Sequence, residues 1–431
     1  MENVVKLFLI LLFSAEVILI IITERKKYRT IVTPGIVFSV PLYSVVMLAY
    51  LFGSALGYIA ISNITLAICI IFIFLFVVAG NILGIRYKSD KKYKNQKPLK
   101  NSYESRESQI RLSNKLCFYS VGLLIFMFLY ILVFKRDAFQ YIAKREFGEI
   151  FNQGINGHIF VLLNFFAIIM LATFDFRKSK KALFISLIII LYSVVAGAKY
   201  TFITVIISGA TGRILLGVMK LKFRNILFLG FIMITGAAMT YLIRFSLDGT
   251  VITFDIVYSV LMHLSKYLFS GVLSMGQAFE VAKPTYNLFT LFIPVLSIIN
   301  FLTFNMLQLS VPKQEVGNWF DIGATQELPV NVNSFFGDIY FRTGYIGLVI
   351  LTIFFAVLAY WLFIKYLKGH NIWILMAYVV LAAPFALSWF AYYFNLLVFY
   401  EMIFYCFIMY LVFGATKRTA SINKMRTTYI Q

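Results

Sequence analysis

Three cations stand where apolar runs end: Lys199 in AGAKY, Arg244 in YLIRFSLDG, and Arg342, which follows the polar series Asn331, Asn333 and Asp338. A guanidinium offers a bidentate fork to phosphate oxygens and an ammonium a compact point charge, so together they would suit a phosphate-bearing headgroup. Asp338 is the carboxylate nearest this group, and His263 supplies an imidazole, the side chain best suited to proton transfer near neutrality. Two basic pairs, Lys135/Arg136 and Lys144/Arg145, precede a Gly/Asn-rich turn. The Arg136-to-Arg145 spacing places both roughly on one side of a short surface helix, facing either lipid headgroups or an anionic ligand. The cysteines Cys69, Cys117 and Cys406 lie in or beside apolar runs, and His158, His263 and His370 are scattered. Neither set has metal-ligand spacing, so no metal site and no cofactor are expected.

Such residues need a frame. The chain has 431 residues, 61% apolar, 18% aromatic and only 13% charged, with mean hydropathy +0.86. That composition excludes an ordinary soluble enzyme and a disulfide scaffold, and describes a polytopic membrane protein. Apolar windows place spans near 4–22, 31–52, 60–85, 116–134, 158–174, 182–198, 201–219, 225–243, 338–363, 372–394 and 396–414. Two pairs of these, 182–198/201–219 and 372–394/396–414, would be tight helical hairpins. The first stretch lacks a basic flank and a cleavage site, so it reads as a span and not a signal peptide.

The net charge of +21 would point to nucleic acid in a soluble protein; here topology accounts for it. Segments 23–30, 86–115, 175–181, 220–224, 365–370 and 415–431 hold 27 Lys and Arg, against nine in the alternate connections. By the positive-inside rule the N-terminus is outside and the C-terminal tail, 415–431, is cytoplasmic. No nucleic-acid partner is expected. The basic segment 86–115 reads as disordered or lying on anionic headgroups. Lys6, Glu16, Arg213 and Glu401 are the main ionisable groups inside spans, and they form no evident relay.

Lys199, Arg244 and Arg342 therefore gather on the outer side, against the charge bias. The outer side carries loops 135–157 and 244–333, the second too long for a connector. Its apolar stretches 251–273 and 286–309 read as helices lying on or dipping into the outer leaflet, with a further pair of full spans as the alternative. The remainder, 310–333, is polar and turn-rich.

Two patches resemble the bacterial Wzy-type polymerases of O-antigen and capsular repeat units and, more distantly, the O-antigen ligases. One is Gly197-Ala198-Lys199-Tyr200, similar to a small-Gly-small-Arg turn that opens a span. The other runs from Asn333-Ser334-Phe335-Phe336-Gly337-Asp338 to Gly344-Tyr345-Ile346-Gly347-Leu348, similar to a polar start followed by Gly-x-x-Gly-Leu entering a span. Lys199 replaces the arginine, and Asn333 stands where ligases carry a histidine, which speaks against a ligase.

The resemblance implies an all-α, GT-C-like bundle of about eleven transmembrane helices in the bacterial cytoplasmic membrane. Its reaction would be a metal-independent glycosyl transfer on the outer face. The partners implied are undecaprenyl-pyrophosphate-linked oligosaccharides and membrane lipids, with a chain-length regulator and a flippase as candidate protein partners. Lys199 and Arg244 would stabilise the departing pyrophosphate, with Asp338 or His263 for acid/base work. Arg136, Arg145, Asn333 and Arg342 would bind substrate, and Trp319, with Phe320, would stack on sugars. The competing readings are a lipid-linked oligosaccharide flippase or other transporter, a ligase-type transferase, and an assembly protein without catalysis.

Overall fold

A computed structural model describes residues 2–89, 103–134, 154–196, 199–220, 222–247, 249–303, 306 and 319–428; some side chains within the helices, those of Lys199 and Arg244 among them, lie outside that description. Among the described residues there are thirteen α-helices: α1 (Glu2–Tyr28), α2 (Pro34–Phe52), α3 (Asn63–Ser89), α4 (Tyr103–Phe134), α5 (Gly154–Thr173), α6 (Lys180–Val195), α7 (Lys199–Leu215), α8 (Phe223–Leu247), α9 (Phe254–Val281), α10 (Ile293–Leu302), α11 (Ser334–Gly369), α12 (Ile372–Ala386) and α13 (Leu397–Thr428). Two short antiparallel strands, β1 (Phe320–Asp321) and β2 (Pro329–Val330), interrupt the all-helical pattern.

Seven helices, α1 to α5, α9 and α11, are long and apolar enough to cross a membrane. Shorter apolar helices occupy Tyr200–Leu215, Leu227–Ile243, Ile372–Ala386 and Leu397–Val412. The chain is thus a helical, multi-span membrane protein, and each apolar window read from the sequence falls on a helix.

The edges differ from expectation. Helix α1 continues through the basic segment to Tyr28, where Arg25, Lys26 and Lys27 complement the negative end of its dipole. The segment 86–115, expected to be disordered or spread on headgroups, is helical at both flanks, with 90–102 outside the described residues. Two contacts favour the early start of α4: Glu107 pairs with Arg111 one turn on at 2.9 Å, and Arg106 donates to the Phe174 carbonyl at 3.0 Å. Arg213, read as an intramembrane charge, donates to the carbonyls of Leu171 and Phe174 at 3.0 Å each, satisfying the open C-terminal end of α5.

The core lies between α2, α3, α11 and α12. Phe38, Phe76, Phe335, Phe336 and Phe385 meet edge to face or tilted, with Phe38 and Phe76 centroids 4.5 Å apart. Helix α11 breaks at Gly344, whose φ of 68° and ψ of −170° leave the helical region, so residues 334–343 form a short leading segment ahead of the long one.

Helix α9 has the length of a crossing helix, yet its partners from His263 to Phe279 belong to one end of the bundle. Ser265 bonds Tyr58 in the α2–α3 connection at 2.7 Å, Thr65 near the start of α3 donates to the Val272 carbonyl, and Phe279 stacks on Tyr340 at 4.1 Å. Helix α9 therefore lies across that end. The stretch expected at 286–309 contains a single helical turn at Leu288–Leu291 followed by α10, whose ten residues are too few to cross a bilayer.

Candidate functional site

The same end carries the second sequence patch. Thr253 and Asp255 begin α9 in the manner of a helix start, the Thr253 hydroxyl accepting from the Ile256 N–H. Its far half then meets the entry to α11. Ser274 donates to the Val332 carbonyl, and the Ser334 hydroxyl lies 3.0 Å from the Met275 sulfur. Ser334 adopts φ 59°, a conformation that costs a non-glycine residue about 1 kcal/mol or more. This turn aims Asn333 and Asp338 at the segment that follows α12.

That segment corrects the expected span 372–394. Helix α12 stops at Ala386, and 387–396 form an irregular strap in place of a tight hairpin. The physical reason is long-range pairing. The Ser334 N–H donates to the Phe390 carbonyl at 3.0 Å and the Phe335 N–H to the Ser388 carbonyl at 2.7 Å, satisfying donors that open α11. In return, the Tyr392 N–H donates to Asp338 Oδ2 at 2.9 Å. Gly271 admits the strap on its other side: a Cβ there would fall 2.3 Å from the Trp389 carbonyl oxygen and 2.4 Å from that of Phe390.

Asn333, Asp338 and Arg342 are thereby brought together. The Asn333 amide reaches Asp338 Oδ1 at 3.5 Å, a long contact, and Arg342, only 8% exposed, follows Asp338 by one helical turn. Asp338 is half-buried. Asn333 Oδ1, the Ser388 hydroxyl and the Tyr392 hydroxyl are buried and find no hydrogen-bond partner among the described residues. Three orphaned polar atoms around one carboxylate and one guanidinium make a polar, incompletely satisfied cluster.

A row of rings joins this cluster to Tyr200 of the first sequence patch. Tyr241 meets His263 at 5.0 Å, His263 meets Tyr267 at 4.8 Å, Tyr267 meets Phe390 at 5.6 Å, Phe390 stacks on Tyr393 at 6.0 Å, and Tyr393 stacks on Tyr200 at 4.1 Å. Tyr200 follows Lys199 at the start of α7, and Tyr241 lies one turn before Arg244 near the end of α8. The helix ends that carry Lys199 and Arg244 therefore border one aromatic wall, although both side chains lie outside the description. His263 is a member of that wall. Trp319 stands 63% exposed ahead of β1. Arg136 and Arg145 lie outside the described residues.

Sequence reasoning missed two features. The aromatic run 389–394 was absorbed into a span because its apolar character hides a non-helical path. The second is a pair: His158 Nδ1 lies 2.8 Å from Glu401 Oε1, joining the start of α5 to the first turns of α13. Glu401 stood out as a carboxylate inside a span, but 243 positions separate it from its partner.

Residues 57–419 match the model of a family of unknown function (DUF6337). No curated protein and no solved structure matches the chain.

Proposed function

The chain belongs to that family, and we propose that it polymerises undecaprenyl-pyrophosphate-linked oligosaccharide units into O-antigen or capsular polysaccharide on the outer face of the cytoplasmic membrane. The observation that carries this reading is the strap 387–396, which holds both sequence patches to one end of the bundle: Tyr392 binds Asp338 and Tyr393 stacks on Tyr200. A polymerase needs a place where a diphosphate leaves and sugars remain held. Cationic helix ends beside an aromatic wall and a polar cluster meet both needs.

In this reaction the bond between the anomeric carbon of the growing chain and its pyrophosphate oxygen breaks, its electron pair leaving with the diphosphate. An acceptor hydroxyl on the next lipid-linked unit forms the new glycosidic bond and gives up its proton. Lys199 and Arg244 stabilise the charge that builds on the leaving oxygens, while Asn333, Arg342 and Asp338 hold polar groups of the substrate. Phosphate affinity falls to these cations because a preformed charge costs no reorganisation as the bond breaks.

The test is genetic and chemical together. Deleting the gene leaves surface glycans of single repeat units if the reading holds. Lys199→Ala and Arg244→Ala each lower chain growth by about 100-fold, at unchanged membrane abundance. Normal long chains in the deletion strain, or in both variants, rule it out.

A further inference from the structure

Among the described groups outside this cluster, the His158–Glu401 pair has the geometry of a chemical device. Its members come from α5 and α13, and Glu401 Oε1 lies 2.8 Å from the ring Nδ1, the distance at which a carboxylate accepts from an Nδ1–H. The carboxylate side chain is 13% exposed and the imidazole 60%. Glu401 Oε2 is buried without a partner among the described residues, so the ring is the group that satisfies the carboxylate. The Tyr405 hydroxyl, one turn further along α13, reaches the His158 carbonyl at 3.4 Å and helps to hold the ring's backbone in place.

This arrangement fixes a tautomer. A proton held on Nδ1 by a buried carboxylate leaves the Nε2 lone pair free and directed away from Glu401, toward the exposed side of the ring. A histidine that only filled space would need neither the carboxylate nor the exposure. The pair also lies at the strap end of the bundle. Helix α13 begins immediately after the strap, and Phe399, two residues before Glu401, packs on Phe394 of the strap at 5.0 Å. Phe160, half a turn beyond His158, packs on Tyr192 of α6 at 5.0 Å, and α6 leads directly to the Lys199 turn.

We propose that His158, oriented by Glu401, is the general base that takes the proton from the acceptor hydroxyl. The inference rests on the polymerase reading given above and supplies the base that reading lacks. As the acceptor oxygen attacks the anomeric carbon, its proton passes to His158 Nε2. The carbon–oxygen bond to the diphosphate breaks, its electrons leave with the diphosphate, and the imidazolium then releases its proton to water. His158 is the catalytic residue and Glu401 a positioning residue. Among the described residues, Tyr405 is a further titratable side chain beside the pair, its hydroxyl 3.4 Å from the His158 carbonyl.

The full-length protein, expressed in the deletion strain and acting on that strain's own lipid-linked units, tests the inference through the glycan length ladder. His158→Gln lowers the yield of chains longer than one unit by about 100-fold at wild-type membrane abundance. Glu401→Gln lowers it by about tenfold or more, Glu401→Asp recovers part of that loss, and the double variant is no worse than His158→Gln alone because both act through one proton transfer. If His158→Gln does not accumulate, the wild-type protein in spheroplasts decides: chain growth falls as the medium is acidified from about pH 8 to about pH 5. Long chains from His158→Gln, additive losses in the double variant, or growth indifferent to pH overturn the proposal. A deletion strain arrested at single units alongside a fully active His158→Gln removes the base and keeps the polymerase. Long chains in the deletion strain remove both.

Discussion

The two ends of the bundle each hold a carboxylate on a long helix beside the start of another, and they treat it differently. At one end Glu24 of α1 is 0% exposed and fully engaged: the hydroxyls of Thr33 and Tyr360 and the Ile36 N–H all donate to it. It serves as an N-cap for α2 delivered from a neighbouring helix, taking the place that Thr33 would fill with its own side chain. Tyr378 ties α12 to the same place by donating to the Val32 carbonyl at 3.1 Å. At the other end Asp338 is half-buried, has one firm donor in Tyr392, and sits among three orphaned polar atoms. A satisfied carboxylate joins helices; one left under-satisfied beside a buried guanidinium is prepared for something that is not part of the chain.

The largest expected effect falls at the joining end. Glu24→Ala strands two hydroxyls and a main-chain N–H, and should cost about 3 kcal/mol or more, read as a lowered melting temperature in detergent and reduced membrane abundance. Asp338→Asn keeps an acceptor for the Tyr392 N–H and should alter stability by less than about 1 kcal/mol, while chain growth falls by about 100-fold. Loss of stability in Asp338→Asn equal to that in Glu24→Ala would erase the contrast. Glycines sharpen it further. Gly271→Ala drives a methyl group into two main-chain carbonyls, whereas Gly35→Ala meets the Glu24 carboxylate at 2.7 Å. The first should cost about 2–3 kcal/mol and the second about 1–2 kcal/mol, and only Gly271→Ala should also lower chain growth.

The smallest effect concerns pH. The N–H groups of Leu328 and Gly323, at 2.7 and 2.9 Å, hold the Asp321 carboxyl below the usual carboxylate range. A depressed folded-state pKa stabilises the β1–β2 loop above the unfolded value and loses that contribution as pH falls through the folded one. The protection factors of the Leu328 and Gly323 amides, taken relative to the base-catalysed intrinsic rate that itself slows on acidification, should therefore fall as pH is lowered, and Asp321→Asn should remove that pH dependence.

How much of this was legible in the sequence depends on whether a feature is local. Apolar length is a one-dimensional property, so every window carries a helix, the window 372–394 only as far as Ala386. Asn333, Asp338 and Arg342 are close in sequence, and their spacing alone puts the last two on one helical face. The strap was not legible, since Trp389 to Phe394 look like any apolar turn of helix and only the opening N–H groups of α11 and the bare face of Gly271 draw them out of it. Glu24 lay unremarked in the basic segment 23–30 because its partners Thr33 and Tyr360 are 9 and 336 positions away. His158 and Glu401 illustrate the same limit.

The strap owes two of its three ties to α11 to main chain on both sides, and the third to the main chain of Tyr392. Its path is thus indifferent to which side chains it carries, apart from the rings that pack beneath it. Variation at 388–393 can repaint the aromatic wall while the scaffold stays put, which is the latitude an enzyme would need to accept differently decorated saccharides without refolding.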